Sequence, residues 1–235
     1  MTAILDIDIG NTRTKWRCGE QRGVVARDES WGAGLAALKV CPGRVRVANV
    51  AGPDIEANLA RWVSDNWGLP LELAVTSHSA AGVGCGYPDP TQLGIDRWLA
   101  ILAASLRVSG GVVVVSAGSA VTVDILTDAG NHLGGYIVPG LEMQRRALYA
   151  GTSQVKVAGQ WQGARRMPGS STVDAVLNGC LAMVVELVSC ARKELSDKAP
   201  VLLSGGDAEY LLPHLGGEVE WVPELVLDGL AVLMP

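Results

Sequence analysis

The chain has 235 residues with a formal net charge of −5; 49% are apolar and 18% charged. That is enough apolar material for one large core or two small ones, which excludes disorder, and an acidic balance leaves no general electrostatic footprint for nucleic acid or an anionic membrane. The five cysteines, Cys18, Cys41, Cys85, Cys180 and Cys190, are odd in number and lack Cys-x-x-Cys spacing, so buried thiols in a reducing cytoplasm are expected rather than a disulfide framework.

The opening Met-Thr-Ala-Ile-Leu-Asp has no basic region and an early acid, so a signal peptide is not expected. No apolar run reaches the ~18–20 residues of a membrane span; the longest, around Leu181–Val188, contains Glu186.

Ile4–Ile9 alternates apolar and acidic residues and predicts a strand, broken by Gly10-Asn11. Thr12–Arg17 alternates again, as the return of a hairpin, and Val24–Arg27 offers a third strand. Helical spacing follows over Gly32–Lys39, then a strand at Val45–Asn49 and a helix at Pro53–Trp67 with Ile55, Leu59, Trp62 and Val63 on one face. Leu71–Val75 is a further strand candidate. Ser79–Gly94, rich in Gly and Pro, reads as a long loop, and loops of that length are often functional. Asp96–Val108 reads as a helix.

Val112–Val115 is a β-branched run typical of a strand covered on both faces. Strands at Ala120–Leu126 and His132–Val138, a helix at Leu141–Ala150 and a loop at Ala158–Ser170 follow. Ser171–Leu195 is the longest helix and opens on a Ser-x-x-Asp cap. Strands at Val201–Leu203 and Val219–Val222 flank a helix at Asp207–His214, and Pro223–Leu233 closes as a helix. The order of three strands, then alternating α and β, occurs twice. It predicts an α/β protein of two similar domains, 1–109 and 110–235, meeting at Ser109-Gly110-Gly111. A short internal repeat agrees: Ile7–Lys15 aligns with Val115–Val123, placing Gly10 on Gly118 and Thr14 on Thr122.

The chemistry lies in these turns. Gly10 lets backbone N–H groups approach a phosphate, Asn11, Thr12 and Thr14 add donors, Lys15 adds charge, and Asp8 can hold Mg²⁺. An ordinary hairpin with a polar turn is the plain alternative, but an acid closing an apolar strand is costly if buried unpaired. Gly118–Asp124 offers a second such turn, and two turns from two domains can grip a triphosphate. Ser204-Gly205-Gly206-Asp207 is a third glycine junction, opening a helix whose N-terminus suits a nucleotide. No P-loop and no protein-kinase signature occur, and the chain has no Phe. His78, His132 and His214 are scattered and read as surface or loop residues, which leaves a zinc site or a histidine triad unsupported.

Paired glycine turns resemble the superfamily of acetate and sugar kinases, heat-shock chaperone ATPases and actin. Tyr87-Pro88-Asp89-Pro90-Thr91-Gln92-Leu93-Gly94-Ile95-Asp96-Arg97-Trp98 resembles the substrate segment of type III pantothenate kinases. Asp8–Lys15, Gly118–Asp124 and Gly134–Gly140 resemble that family in order along nearly the whole chain. The resemblance implies two actin-like (ribonuclease H-like) domains, each a mixed sheet flanked by helices, and ATP-dependent phosphorylation of pantothenate in the cytoplasm. It implies ATP contacts from Asp8, Gly10, Asn11, Thr12, Lys15 and Ser119, with Mg²⁺ at Asp8. It makes Asp96 the catalytic base and gives pantothenate contacts to Tyr87, Gly94, Ile95, Asp96, Arg97 and Thr172. A helix acid with a solvated neighbour is the plain alternative for Asp96-Arg97, and an N-cap for Thr172. The resemblance also implies a homodimer, and the wide apolar arc of the Ser171–Leu195 helix offers a reason. Neither nucleic acid nor membrane is an expected partner. One departure concerns the monovalent cation, K⁺ or NH₄⁺: where the family has an aspartate this chain has Ser116, a weaker neutral ligand. A kinase for another small hydroxy acid, or a regulatory factor of the same fold, are the alternatives; Asp8, Lys15 and Asp96 weigh against lost catalysis.

Overall fold

The structure, a computed structural model, describes residues 3–26, 30–157 and 159–235. It divides into two compact units, Met1–Ala103 with Glu224–Pro235, and Ala104–Pro223.

In the first unit the strands are β1 (Ile4–Ile9), β2 (Arg13–Cys18), β3 (Gln21–Ala26), β4 (Arg44–Asn49) and β5 (Glu72–Leu73), in the order β3-β2-β1-β4-β5. The three N-terminal strands form an antiparallel meander, and β1, β4 and β5 run parallel. Because strand side chains alternate, Leu5, Ile7 and Ile9 enter a core with Trp16, Val45, Val47, Leu59 and Val63, while Asp6 and Asp8 share the other face. Helix α1 (Trp31–Gly34) is capped by Ser30 and is shorter than the Gly32–Lys39 segment expected. Its Gly34 lies so close to Val25 that a Cβ would meet Val25 Cγ2 at 2.1 Å, so contact rather than helix propensity shapes this segment. Helix α2 (Pro53–Trp67) has the expected bounds, with Pro53 at its start and left-handed Gly68 at its end. The 79–94 loop contains a small hairpin, β6 (Ser79–Ala80) and β7 (Val83–Gly84), and a 3-10 turn at Pro90–Gln92 capped by Asp89. Helix α3 (Ile95–Arg107) follows. Val24–Arg27 is seen as part of β3, its last residue Arg27 lying outside the described residues, as does Ala158 of the expected 158–170 loop.

In the second unit the sheet is β8 (Val112–Ala117), β9 (Ala120–Leu126), β10 (His132–Pro139), β11 (Val201–Ser204) and β12 (Val219–Trp221), in the order β10-β9-β8-β11-β12. This is the order and direction of the first sheet repeated. Helix α4 (Leu141–Gly151) and helix α5 (Thr172–Lys193) cover it. Leu177, Leu181, Val184, Val185 and Val188 of α5 join Val113, Val115, Val121 and Val123 in one core. Contrary to the sequence reading, α5 is long and apolar enough by length and composition to cross a membrane; its packing against β8 and β9 is that of a core helix. The expected Asp207–His214 helix reduces to the four-residue α6 (Ala208–Leu211) and a 3-10 turn with Pro213 inside it. His132 is a further correction. It is 3% exposed, and its Nε2 lies 2.9 Å from Oδ1 of Asp124, itself 1% exposed. A buried imidazole beside a buried carboxylate satisfies both, and histidine spacing alone carries no sign of it.

Helix α7 (Leu225–Leu233) completes the chain. The sequence assigned everything beyond residue 109 to the second domain. The division instead falls inside α3, and Glu224–Pro235 belongs to the first unit. Helix α7 packs on β1 and β4 with Leu225, Leu227 and Leu230 buried, and ion pairs fasten it. Arg17 donates from Nη1 to Asp228 Oδ1 at 2.7 Å and to Glu224 Oε2 at 3.2 Å, and from Nη2 to the Leu227 carbonyl at 2.9 Å. Asp6, buried, takes Arg46 Nε at 2.7 Å and Arg17 Nη2 at 3.5 Å, and Arg46 also donates to the Met234 carbonyl. With so little solvent around Asp6 and Arg46, each charge needs the other.

Candidate functional site

The site in the first unit grows from the β1–β2 hairpin. Gly10 N–H donates to the Arg13 carbonyl at 3.3 Å and closes the turn that exposes Asn11 and Thr12. A Cβ on Gly10 would meet the Arg13 oxygen at 3.1 Å. The antiparallel register sets Asp8 opposite Lys15, and Asp6 opposite Arg17 two positions earlier, on the same face. Strand alternation therefore arms one face with two acid–base rungs. The Asp6–Arg17 rung is structural. The Asp8–Lys15 rung lies at the open end, where the chain turns.

Asp96 stands in the first turn of α3, where the positive end of the helix dipole favours a carboxylate. Its Oδ1 accepts from the Arg97 backbone N–H at 2.8 Å. Gly94 is the neighbour this needs: a Cβ there would lie 2.7 Å from Asp96 Oδ1, so a larger residue would push the carboxylate aside. Arg97 is buried; its Nη1 donates to the Tyr87 hydroxyl at 3.0 Å, and its guanidinium lies 5.6 Å from the Tyr87 ring centroid. This pair ties the 79–94 loop to α3, and Thr76 Oγ1, donating to the Leu93 carbonyl at 2.9 Å, ties the loop's end to the segment after β5. Ile95 is buried beneath them.

Asp8 feels both partners. Although a little of its surface remains accessible, burial of its carboxyl, followed by the negative charge of Asp96, pushes it up to about 7 against an opposing pull from Lys15. A carboxyl raised in this way, beside a second carboxyl and a lysine, fits a divalent cation such as Mg²⁺, which would favour the ionised form of Asp8.

In the second unit the corresponding turn joins β8 to β9. Gly118 N–H donates to the Ala120 carbonyl at 3.0 Å, echoing Gly10, and Ser119 is exposed. Backbone crowds this turn. A Cβ on Gly140, just before α4, would meet the Gly118 carbonyl at 2.0 Å, and one on Gly205, at φ +97°, would meet the Ala117 carbonyl at 2.0 Å. Only glycine lets the three chain segments converge. Asp207 N–H donates to the Ala117 carbonyl at 2.9 Å. The α6 segment it introduces is too short to supply the helix N-terminus expected for a nucleotide.

A monovalent cation fits poorly here. Ser116 lies between Ser204 of β11 and Thr122 of β9 in register, so its cross-strand neighbours are neutral hydroxyls. Asp124, two residues beyond Thr122, is paired with His132. No cluster of three metal-ligating His, Cys, Asp or Glu side chains occurs among the described residues. Thr172 is the first residue of α5 and exposed, and the cap is Ser171, whose Oγ accepts from the Asp174 N–H at 3.1 Å. The cap role considered for Thr172 therefore belongs to its neighbour. The sequence reading missed the Gly94 clearance and the Asp6–Arg17–Arg46 network. The period-two spacing of Asp6 and Asp8, matched by Lys15 and Arg17, was the available signal for the network.

A family model described as type III pantothenate kinase matches residues 4–194. A type III pantothenate kinase of Chromohalobacter salexigens is 35% identical, over 99% of this chain and 87% of its own. One from Marinobacter nauticus is 37% identical, over 97% and 96%. Among solved structures, a Baf family protein of Campylobacter jejuni is similar at a TM-score of 0.65 with 22% identity, over 98% of this chain and 96% of its own. The ethanolamine utilization protein EutJ of Carboxydothermus hydrogenoformans gives 0.55 with 14% identity, over 99% and 90%. At these identities the structures show the fold alone.

Asp8 generates a pH signature. Its folded value of about 7 stands above its ordinary 3.8, so between those values the folded chain holds a proton that the unfolded chain has released. Stability therefore falls as pH rises from about 4 to about 7 and levels off above. Thermal unfolding without ligands should show Asp8→Asn gaining on wild type across that window, with the difference smallest near pH 4. Parallel curves for the two proteins would contradict the assignment.

Proposed function

Because the chain belongs to the type III pantothenate kinase family, we propose that it transfers the γ-phosphoryl group of ATP to the primary hydroxyl of pantothenate, giving 4′-phosphopantothenate, the first step of coenzyme A biosynthesis. The observation that carries this reading is Asp96 at the head of α3, given room by Gly94 and electrostatically coupled to Asp8 beside the Gly10 turn.

Phosphoryl transfer asks for positioning and charge more than for a strong base. Pantothenate's hydroxyl oxygen attacks the γ-phosphorus, the bond to the β–γ bridging oxygen breaks, ADP leaves, and the hydroxyl proton passes to Asp96. Gly10, Asn11 and Thr12 offer donors to the phosphate oxygens and Lys15 offers charge; Gly118 and Ser119 offer a second turn of the same kind. Asp8 would hold Mg²⁺, which when bound neutralises charge on the phosphate oxygens. Arg97, steadied by Tyr87, supplies a positive partner for the pantothenate carboxylate. Thr172 is a further substrate contact. We place the reaction in the cytoplasm, the compartment of ATP, where the five free thiols stay reduced.

The homodimer also belongs to this proposal, on wider grounds than those first expected. Six apolar residues of α5, Leu177, Cys180, Leu181, Val184, Val185 and Val188, are buried within its own unit, while Val173 and Met183 stay exposed. Further exposed apolar side chains lie on β10 and α4: Ile137, Met143, Leu148 and Tyr149. A second copy of the chain is the partner we propose for this surface.

Replacing Asp96 with Asn keeps its shape and removes proton acceptance, so turnover should fall by roughly 10²–10⁴-fold with ATP still bound; near-normal turnover would remove Asp96 from its role. With neutral neighbours at Ser116, rates in potassium and sodium should agree within about twofold, a shift too small to need a bound counter-ion, whereas strong saturable activation by potassium would show that other groups complete a cation site. Light scattering at micromolar concentration should give twice the 24.5 kDa chain mass; a fully active monomer would reject the dimer requirement.

A further inference from the structure

We propose that helix α7 is a brace for the catalytic helix α3, with Gly229 and the Arg17–Asp228 ion pair as positioning residues for Asp96. This rests on the kinase reading of the Asp96 site.

The contact is backbone to backbone. A Cβ on Gly229 would lie 2.1 Å from the Leu99 carbonyl oxygen, 2.5 Å from its carbon and 2.7 Å from Leu99 Cα. Such overlap cannot be relieved by turning a flexible side chain, because the atoms met are main chain. Leu99 is one helical turn beyond Asp96, so any displacement at Leu99 is delivered to the carboxylate through a rigid, buried helix: Trp98, Leu99, Ile101 and Leu102 are all buried.

Helix α7 is itself held from the other side. It packs on β1 and β4, and Arg17 grips it at Glu224, the Leu227 carbonyl and Asp228. Arg17 is opposite Asp6 on the same hairpin in which Lys15 is opposite Asp8. One rung of β1–β2 therefore carries the phosphate-side charges, and the next carries the grip on α7, which in turn sets α3. The contacts run from hairpin to α7 and from α7 to α3, and Asp96 at the head of α3 bears on Asp8 of the hairpin through like charge. A misplacement of about 1 Å in a reacting group can cost 10²-fold, and an added Cβ at Gly229 demands a shift of that order.

Two variants test the brace, Gly229→Ala at the contact and Asp228→Asn at the grip, each measured below its own unfolding midpoint. In Gly229→Ala, kcat should fall by about 10–100-fold while KM for ATP stays within about twofold; in Asp228→Asn the fall should be smaller and of the same kind. Amide hydrogen exchange should speed up over residues 95–99 in both, with the β1–β2 hairpin unchanged in Gly229→Ala. In the double variant, Gly229→Ala on an Asp96→Asn background should cost little beyond Asp96→Asn alone, since both act through one carboxylate. Multiplying losses, or unchanged kcat and exchange, would overturn the brace. If Gly229→Ala does not fold, Asp228→Asn decides by the same readouts. If wild type fails to phosphorylate pantothenate, the kinase reading falls, and the exchange experiment alone decides whether α7 holds α3.

Discussion

The buried carboxylate of Asp6 is the constraint around which the first unit is arranged. Placed on the face of β1 that does not enter the apolar core, it takes Arg46 from the neighbouring parallel strand and Arg17 from the antiparallel one. A buried charge deprived of its partner is strongly destabilising, by ~3–5 kcal/mol. Satisfying Asp6 and both arginines brings Asp228 and Glu224 onto Arg17 and the Met234 carbonyl onto Arg46. The far end of the chain thus returns to the first sheet. Without that return α7 would have no seat, and Gly229 would have no reason to be bare against Leu99.

The two sheets solve the same problem twice. Each is a meander of three antiparallel strands extended by two parallel ones, and each turns on a glycine whose N–H is closed by the carbonyl a few residues on. The copies have diverged in charge. The first turn is followed by Lys15 and preceded by Asp8. The second carries Ser116 and Ser119, with its own acid, Asp124, withdrawn into a buried pair with His132.

Within the first unit, two carboxyls are kept close at a cost. Asp8 would be an ordinary acid in water, but burial and the neighbouring Asp96 push it up to about 7. The fold tolerates this because Asp96 is anchored by a backbone N–H and the helix dipole. A carboxyl shifted in this way by burial and a neighbouring acid is the kind of group that clusters at functional sites.

The sequence by itself determined the α/β class, the doubled order of elements, the bounds of α2, β9 and α5 to within a residue or two, and the glycine turns. These follow from local rules: strand and helix periodicities, capping by Ser171, and the special freedom of Gly10 and Gly118. It also singled out Asp8 and Lys15 as candidates by their place beside a glycine turn, and Asp96 by the resemblance of the Tyr87–Trp98 segment to a known family. Tertiary structure alone decided where α7 belongs: its buried Leu225, Leu227 and Leu230, its packing on β1 and β4 and its ion pairs with Arg17 all depend on residues far away in the chain. It alone showed that Gly94 clears space for a carboxylate, that His132 is buried, and that α1 stops early against Val25. Each depends on which atoms approach across long stretches of chain, and periodicity carries no record of such meetings.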